Sequence, residues 1–187
     1  MKVKFIFLML ITIFILTTGM EAQPTSAQKK ILVVYYSWGG NTQEMANQIG
    51  DAAKADIFQI VPAIPYPADY KECAEQAKKE ISSNHKPALK SKPNSIDSYD
   101  VIFVGSPNWW STIAPPAATF LSSYDFSGKT IVPFITHEGT RMGSSVADIK
   151  KLCPKSTILD GLPIRGGSVK KSKEQVEKWL REIEIIK

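Results

Sequence analysis

The chain has 187 residues, 43% of them apolar, and a formal net charge of +5. Its lysines and arginines form no block interleaved with aromatics, so the charge reads as a solvated basic surface and nucleic acid is excluded as a partner. Cys73 and Cys153 match no metal-binding spacing, and His85 and His137, the only histidines, are far apart, so no metal site is expected.

The first segment opens with Lys2 and Lys4, runs apolar from Phe5 to Leu16, and turns small and polar through Thr17 to Gln28. That order is the pattern of a secretory signal peptide. The apolar run is about 12 residues, short of the roughly 20 that cross a bilayer. Cleavage after Ala22 or Ala27 is therefore expected, with no stable membrane span left. The product is expected to be exported, periplasmic or extracellular. Residues 1–27 read as the signal and 28–187 as one domain, large enough for a proper core. Without Lys2, Lys4 and Glu21 the net charge is +4.

Beyond the signal, strands and helices alternate. Ile31 to Tyr35 is an unbroken apolar, β-branched run, as in a strand buried on both faces. Thr42 to Ala53 carries Met45, Ala46, Ile49 and Ala52 at helical spacing, and Asn41 with Glu44 resembles a capping box. A strand is predicted over Asp56–Val61 and a helix over Asp69–Ser82. A third strand follows at Val101–Gly105, with a helix from about Pro116 to Tyr124 behind it. Thr130–Ile135 is a strand, Ser144–Leu152 a helix, and Thr157–Leu159 the start of a short fifth strand. The last helix, Glu174–Ile185, carries Val176, Trp179, Leu180 and Ile183 on one stripe. Five strands alternating with five helices predict a doubly wound α/β fold with a parallel sheet. No internal repeat or second domain is visible.

In such sheets ligands bind beyond the carboxyl ends of the strands, and three loops there carry unusual chemistry. Ser37, Trp38, Gly39, Gly40, Asn41 and Thr42 lead from the first strand straight into a helix. Glycines, hydroxyls and a helix N-terminus together make an anion cradle the size of a phosphate. It is neither a Walker loop nor a dinucleotide fingerprint; the plain alternative is a tight strand-to-helix turn. After the third strand come Ser106, Pro107, Asn108, Trp109, Trp110 and Ser111. Two tryptophans there suit a wall for a planar ligand, with Asn108 at its polar edge, while core packing is the alternative for one of them. The third loop, Thr136 to Ser145, is polar and glycine-rich, and supplies the far wall through Thr136, His137, Glu138, Gly139 and Ser144.

These residues resemble the flavodoxins, and more narrowly the bacterial flavodoxin-like proteins with a Tyr-Ser-Trp-Ser-Gly-Asn-Thr loop. Tyr36 to Thr42 is similar to that family's FMN phosphate loop. Gly105 to Trp110 is similar to its Gly-x-Pro-x-Trp-Trp flavin loop, and Thr136 to Ser145 to its Thr-His-x-Gly-Ser-x-x-Gly loop. Tyr66-Pro67-x-x-Tyr70 and Pro87-Ala88-Leu89 resemble its long crossover. The resemblance implies strand order 2-1-3-4-5, helices on both faces, and one non-covalent FMN held by the residues of the three loops. Gly39 departs from the family's usual Ser or Thr, which removes one phosphate hydroxyl. Glu138, Thr140 and Arg141 replace residues that are commonly Gly or Ser. The third loop also lacks the tyrosine that covers the outer flavin face in many electron-carrier flavodoxins, so that face is expected to be open or partly covered by Met142 or Arg141.

What the resemblance implies is an oxidoreductase that passes electrons from a reduced donor to a small acceptor such as a quinone, with His137 and Glu138 as candidate proton donors. The alternative is a non-catalytic FMN electron carrier docking on a redox protein, although carriers are usually acidic. A serine hydrolase is excluded, because no Gly-x-Ser-x-Gly is present. The chain is expected to be a monomer or homodimer. In the flavodoxin topology the helices bearing Cys73 and Cys153 are not neighbours, so free thiols are expected.

Overall fold

In the computed structural model, which describes residues 29–187, the apolar run Ile31–Tyr35 is a strand, β1, buried along nearly its whole length. The signal read at residues 1–27 lies outside the described residues. Helix α1 (Asn41–Ala53) follows, then β2 (Asp56–Gln59), α2 (Tyr70–Ser82), β3 (Val101–Trp109), β4 (Thr112–Ile113) and α3 (Pro115–Ser122). The chain continues through β5 (Thr130–His137), α4 (Ser145–Leu152), β6 (Thr157–Ile158), β7 (Leu162–Arg165) and α5 (Lys173–Glu182). No described helix is long and apolar enough to cross a membrane.

The sheet runs β2-β1-β3-β5-β6, with β7 also parallel to β5. Since β6 and β7 are two short pieces of one fifth strand, the expected order 2-1-3-4-5 is the order observed. Neighbouring strands start in step: Ile31 pairs with Val101, and Val101 with Thr130. Their carboxyl ends therefore reach one edge together.

Each face of the sheet has its own core. On one side Leu32, Val34, Ile102, Val104 and Ile131 pack with Cys73 of α2, Phe120 and Leu121 of α3, and Ile149 of α4. On the other, Val33, Phe103, Val132 and Phe134 pack with Met45 and Ile49 of α1 and Val176, Trp179 and Leu180 of α5. Phe103 meets Trp179 edge-on at 5.7 Å. Burying each such large side chain contributes roughly 1.5–3 kcal/mol. The i, i+3, i+4 stripe of α5 is what allows so short a helix to dock.

Two local expectations are corrected. The Asn41–Glu44 capping box does not form: α1 starts at Asn41 itself, Gly40 is the N-cap at φ 87°, and no side chain caps the helix. The third strand is longer than its apolar run, continuing to Trp109 and turning back through Trp110 and Ser111 into antiparallel β4. The sequence reading placed a loop there because Pro107, Asn108 and the tryptophans break the apolar pattern. The pairing of Ser106 with Ile135 and Pro107 with Thr136 keeps the strand straight to that point.

Candidate functional site

Where the carboxyl ends meet, the three loops and one face of α2 enclose a cleft of about 690 Å³. Ser37, Trp38, Gly39, Asn41, Thr42, Pro107, Asn108, Trp109, Trp110, Thr136, His137, Glu138 and Gly139 all line it. Gly40 and Ser144 do not. Gly40 caps α1, and Ser144 turns away to donate to Asp148 at 2.5 Å and to the Ser111 carbonyl at 3.1 Å. The sequence reading missed Tyr70, Cys73, Ala74 and Ala77 of α2, together with Gly166. The Tyr70-Cys73-Ala74-Ala77 spacing marked one helical face, but nothing in it named the partner of that face. A second cleft of about 460 Å³ shares the Ser37–Gly39 wall and lies toward Gln59–Ala68.

The first loop is organised around unpaired amides. Ser37 Oγ accepts from the Gly40 amide at 3.1 Å and so tightens the turn. The following helix N-terminus has no capping side chain, so its first amides, with the partial positive charge of the helix, suit an anion. Gly39 has nothing within 4 Å of an added β-carbon. Thr42 is buried beneath the loop and its hydroxyl meets that of Thr136 at 2.8 Å, which ties the first loop to the third.

The two tryptophans play different parts. Trp109 packs edge-on against Tyr36 at 5.5 Å and Tyr66 at 5.0 Å, forming the rear wall. Trp110 is 53% exposed, yet its indole N–H donates to the Ala74 carbonyl at 2.9 Å and Lys78 Nζ lies 4.8 Å above its ring. Trp38 is likewise pinned, donating to the Pro67 carbonyl at 2.9 Å. Trp110 and Ser111 both have positive φ, 51° and 67°. A two-residue hairpin favours that geometry, but in residues with side chains it stores about 1–3 kcal/mol each.

The strained hairpin is clamped to the third loop. Asn108 Nδ2 donates to the Arg141 carbonyl at 2.9 Å, the Ser144 amide donates to the Ser111 carbonyl at 2.7 Å, and Thr112 donates to Asp148 at 2.7 Å. Burial opposes the charge of Asp148, but hydrogen bonds from Ser144, Thr112 and Lys151 outweigh it and hold the carboxyl below its ordinary range. Arg141 is exposed, and Met142 packs inward against the core, its methyl close to Gly161, so it does not cover the cleft.

Several polar groups are left over. Asn108 Oδ1 and His137 Nδ1 are buried without a partner. Among the four tryptophans, Trp38, Trp110 and Trp179 each give their indole N–H to a backbone carbonyl, and Trp109 has no such partner. Burial and the nearby Arg141 depress the imidazole of His137, with Glu138 opposing and Arg165 adding to the shift, so it is neutral at pH 7. Glu138 is exposed and pairs with Arg165 at 3.7 Å. Unsatisfied donors and acceptors around an aromatic wall, beside an uncapped helix N-terminus, suit a planar heterocycle that carries a phosphate. Cys73 and Cys153 are buried and unpaired.

Comparison with known proteins agrees with this arrangement. A crystal structure from Bacteroides eggerthii, of a protein provisionally described as a flavoprotein, is 32% identical, covers 85% of this chain and 99% of that one, and superposes with a TM-score of 0.75. A flavoprotein of Lactobacillus acidophilus, solved in complex with FMN, is 27% identical over 76% of this chain and 97% of its own, with a TM-score of 0.63. An NAD(P)H dehydrogenase (quinone) of Gluconacetobacter diazotrophicus is 28% identical over 149 residues, 72% of this chain and 71% of that protein. The profile of the flavodoxin family matches residues 30–183, nearly all of the described chain, and with the doubly wound sheet this settles the matter: the chain belongs to the flavodoxin family.

Proposed function

We propose that this protein is an FMN-binding oxidoreductase, passing electrons from a reduced donor to a small acceptor such as a quinone. The observation that carries the cofactor is the cleft itself: an uncapped helix N-terminus on one side, and on the other an aromatic wall with unpartnered Asn108 Oδ1 and His137 Nδ1. The L. acidophilus flavoprotein, which shares this fold, was solved with FMN. The amides of the 37–42 loop would hold the phosphate. Trp109 would back the ring system, and Asn108, fixed by Arg141, would present its carbonyl oxygen to a donor on the ring's polar edge.

FMN, when bound, supplies the redox chemistry. The chain orients it, limits water through the α2 wall, and keeps a neutral imidazole at the cleft. The neutral His137 can therefore accept a proton at the cleft, and Glu138 stands at its exposed rim. Acceptance by a small molecule is supported by the open mouth of the cleft, where Trp38, Trp110 and Tyr70 are 39%, 53% and 76% exposed. It is supported further by the name of the G. diazotrophicus relative. The sequence pattern of residues 1–27 further supports export.

The test is anaerobic reduction of the FMN-loaded protein with NADH or NADPH, followed by a quinone. Bleaching and recovery of the flavin band over many turnovers supports the enzyme. A flavin that these donors leave oxidised, but that a reduced redox protein bleaches, would replace it with the electron-carrier reading.

A further inference from the structure

Behind the rear wall of the cleft lies a part-buried tyrosine–carboxylate pair that the proposed function does not use. Tyr66, 8% exposed, donates its phenolic proton to Oε2 of Glu80 on α2. Gln76 Nε2 donates to the other carboxylate oxygen at 2.9 Å and fixes its orientation. The Tyr66 ring lies 5.0 Å from Trp109, centroid to centroid, and Trp109 lines the cleft. Tyr36 is also near, at 5.5 Å from Trp109, but no carboxylate accepts its hydroxyl proton. A phenol oxidised without losing its proton is a very strong acid, so only the tyrosine with a base in place offers a low-energy site for an electron vacancy.

We propose that Trp109, Tyr66 and Glu80 form a proton-coupled relay that draws a one-electron oxidising equivalent out of the flavin cleft. The proposal rests on FMN occupying that cleft. The oxidant is the photoexcited oxidised flavin, which takes one electron from Trp109. The indole radical cation then takes an electron from Tyr66, whose proton passes along the existing hydrogen bond to Glu80. The products are an intact Trp109, a neutral tyrosyl radical and a protonated Glu80. Return of the electron from the flavin to Tyr66, and of the proton from Glu80, restores the starting state, so nothing is consumed. Tyr66 and Glu80 act through Trp109 and do not touch the flavin. The relay gives a vacancy at the wall a reversible resting place in preference to permanent damage of the indole.

Transient absorption of the FMN-loaded protein after a blue flash tests this. In the wild type the tryptophan radical signal should give way to the sharp near-ultraviolet band of a tyrosyl radical. In Tyr66→Phe the tyrosyl band should be absent and the tryptophan signal should persist, with FMN affinity unchanged. In Glu80→Gln tyrosyl formation should slow by about tenfold or more, a barrier increase of about 1.4 kcal/mol. A tyrosyl band that survives in Tyr66→Phe, or a rate unchanged in Glu80→Gln, would overturn the relay. Failure of the flavin reading shows separately, as no FMN uptake. The hop can then be read in the flavin-free protein by oxidising tryptophan with azidyl radicals. Tyrosyl growth that is lost in Tyr66→Phe supports the relay, and growth that is retained refutes it.

Discussion

A β-carbon on Gly143 would stand 2.2 Å from the carbonyl oxygen of Ser111, because the third loop passes directly beneath the hairpin of the second. The same residue has φ 52°, which side chains rarely adopt. Gly143→Ala is therefore expected to lose about 2 kcal/mol or more of stability and to weaken FMN binding by splaying the two loops. Denaturant unfolding and FMN titration of the same variant check both. Unchanged stability would mean that the loops are not coupled.

Gly39 presents the opposite case. An added side chain there meets open space, so Gly39→Ser restores a hydroxyl beside the anion cradle without strain. A hydrogen bond to a charged group contributes about 1.5–3 kcal/mol when well aligned, so a gain of roughly tenfold in FMN affinity is expected, and none for riboflavin, which lacks the phosphate. Equal gains for both ligands would place the phosphate elsewhere.

The shift of His137 carries a pH dependence. Its folded pKa lies below the ordinary value of 6.5, so the unfolded chain binds the proton more readily. Its contribution to stability is present above about pH 6.5 and is lost as pH falls toward the folded pKa. Asp148, also depressed, contributes above its ordinary 3.8 and loses that contribution only in stronger acid. Melting curves of His137→Gln against wild type should converge as pH is lowered from 7 toward 5. A gap that stays constant would contradict the depressed imidazole.

Burial pushes the thiols of Cys73 and Cys153 up to about 11. At pH 8 almost no thiolate is present in the folded protein, so iodoacetamide should leave both cysteines untouched. After unfolding without reductant it should label both. Labelling that requires reductant would show a disulfide.

Much of this could be read along the chain, and most of the failures have a common cause. The Ile31–Tyr35 and Val101–Gly105 runs named the central strands because both faces are buried, and the loops after them carried their chemistry in adjacent residues. The contribution of α2 could not be read. Tyr70, Cys73, Ala74 and Ala77 are far in sequence from the loops they face, and only the crossover path brings them there. The Ser111–Ser144 and Thr112–Asp148 clamps join residues 33 and 36 positions apart and left no local pattern. Asn41 deceived for a different reason: the glycine before it took the cap, leaving the helix amides free.

The measurement that bears most directly on the account is an FMN titration of the purified protein, followed by flavin fluorescence and run in parallel on Trp109→Ala. Saturable one-to-one binding with quenched emission is predicted, weakened in the variant by about tenfold, as loss of one stacking face of about 1–3 kcal/mol implies. A folded wild-type protein that takes up no FMN, or a variant that binds it equally well, would contradict the assignment of this cleft.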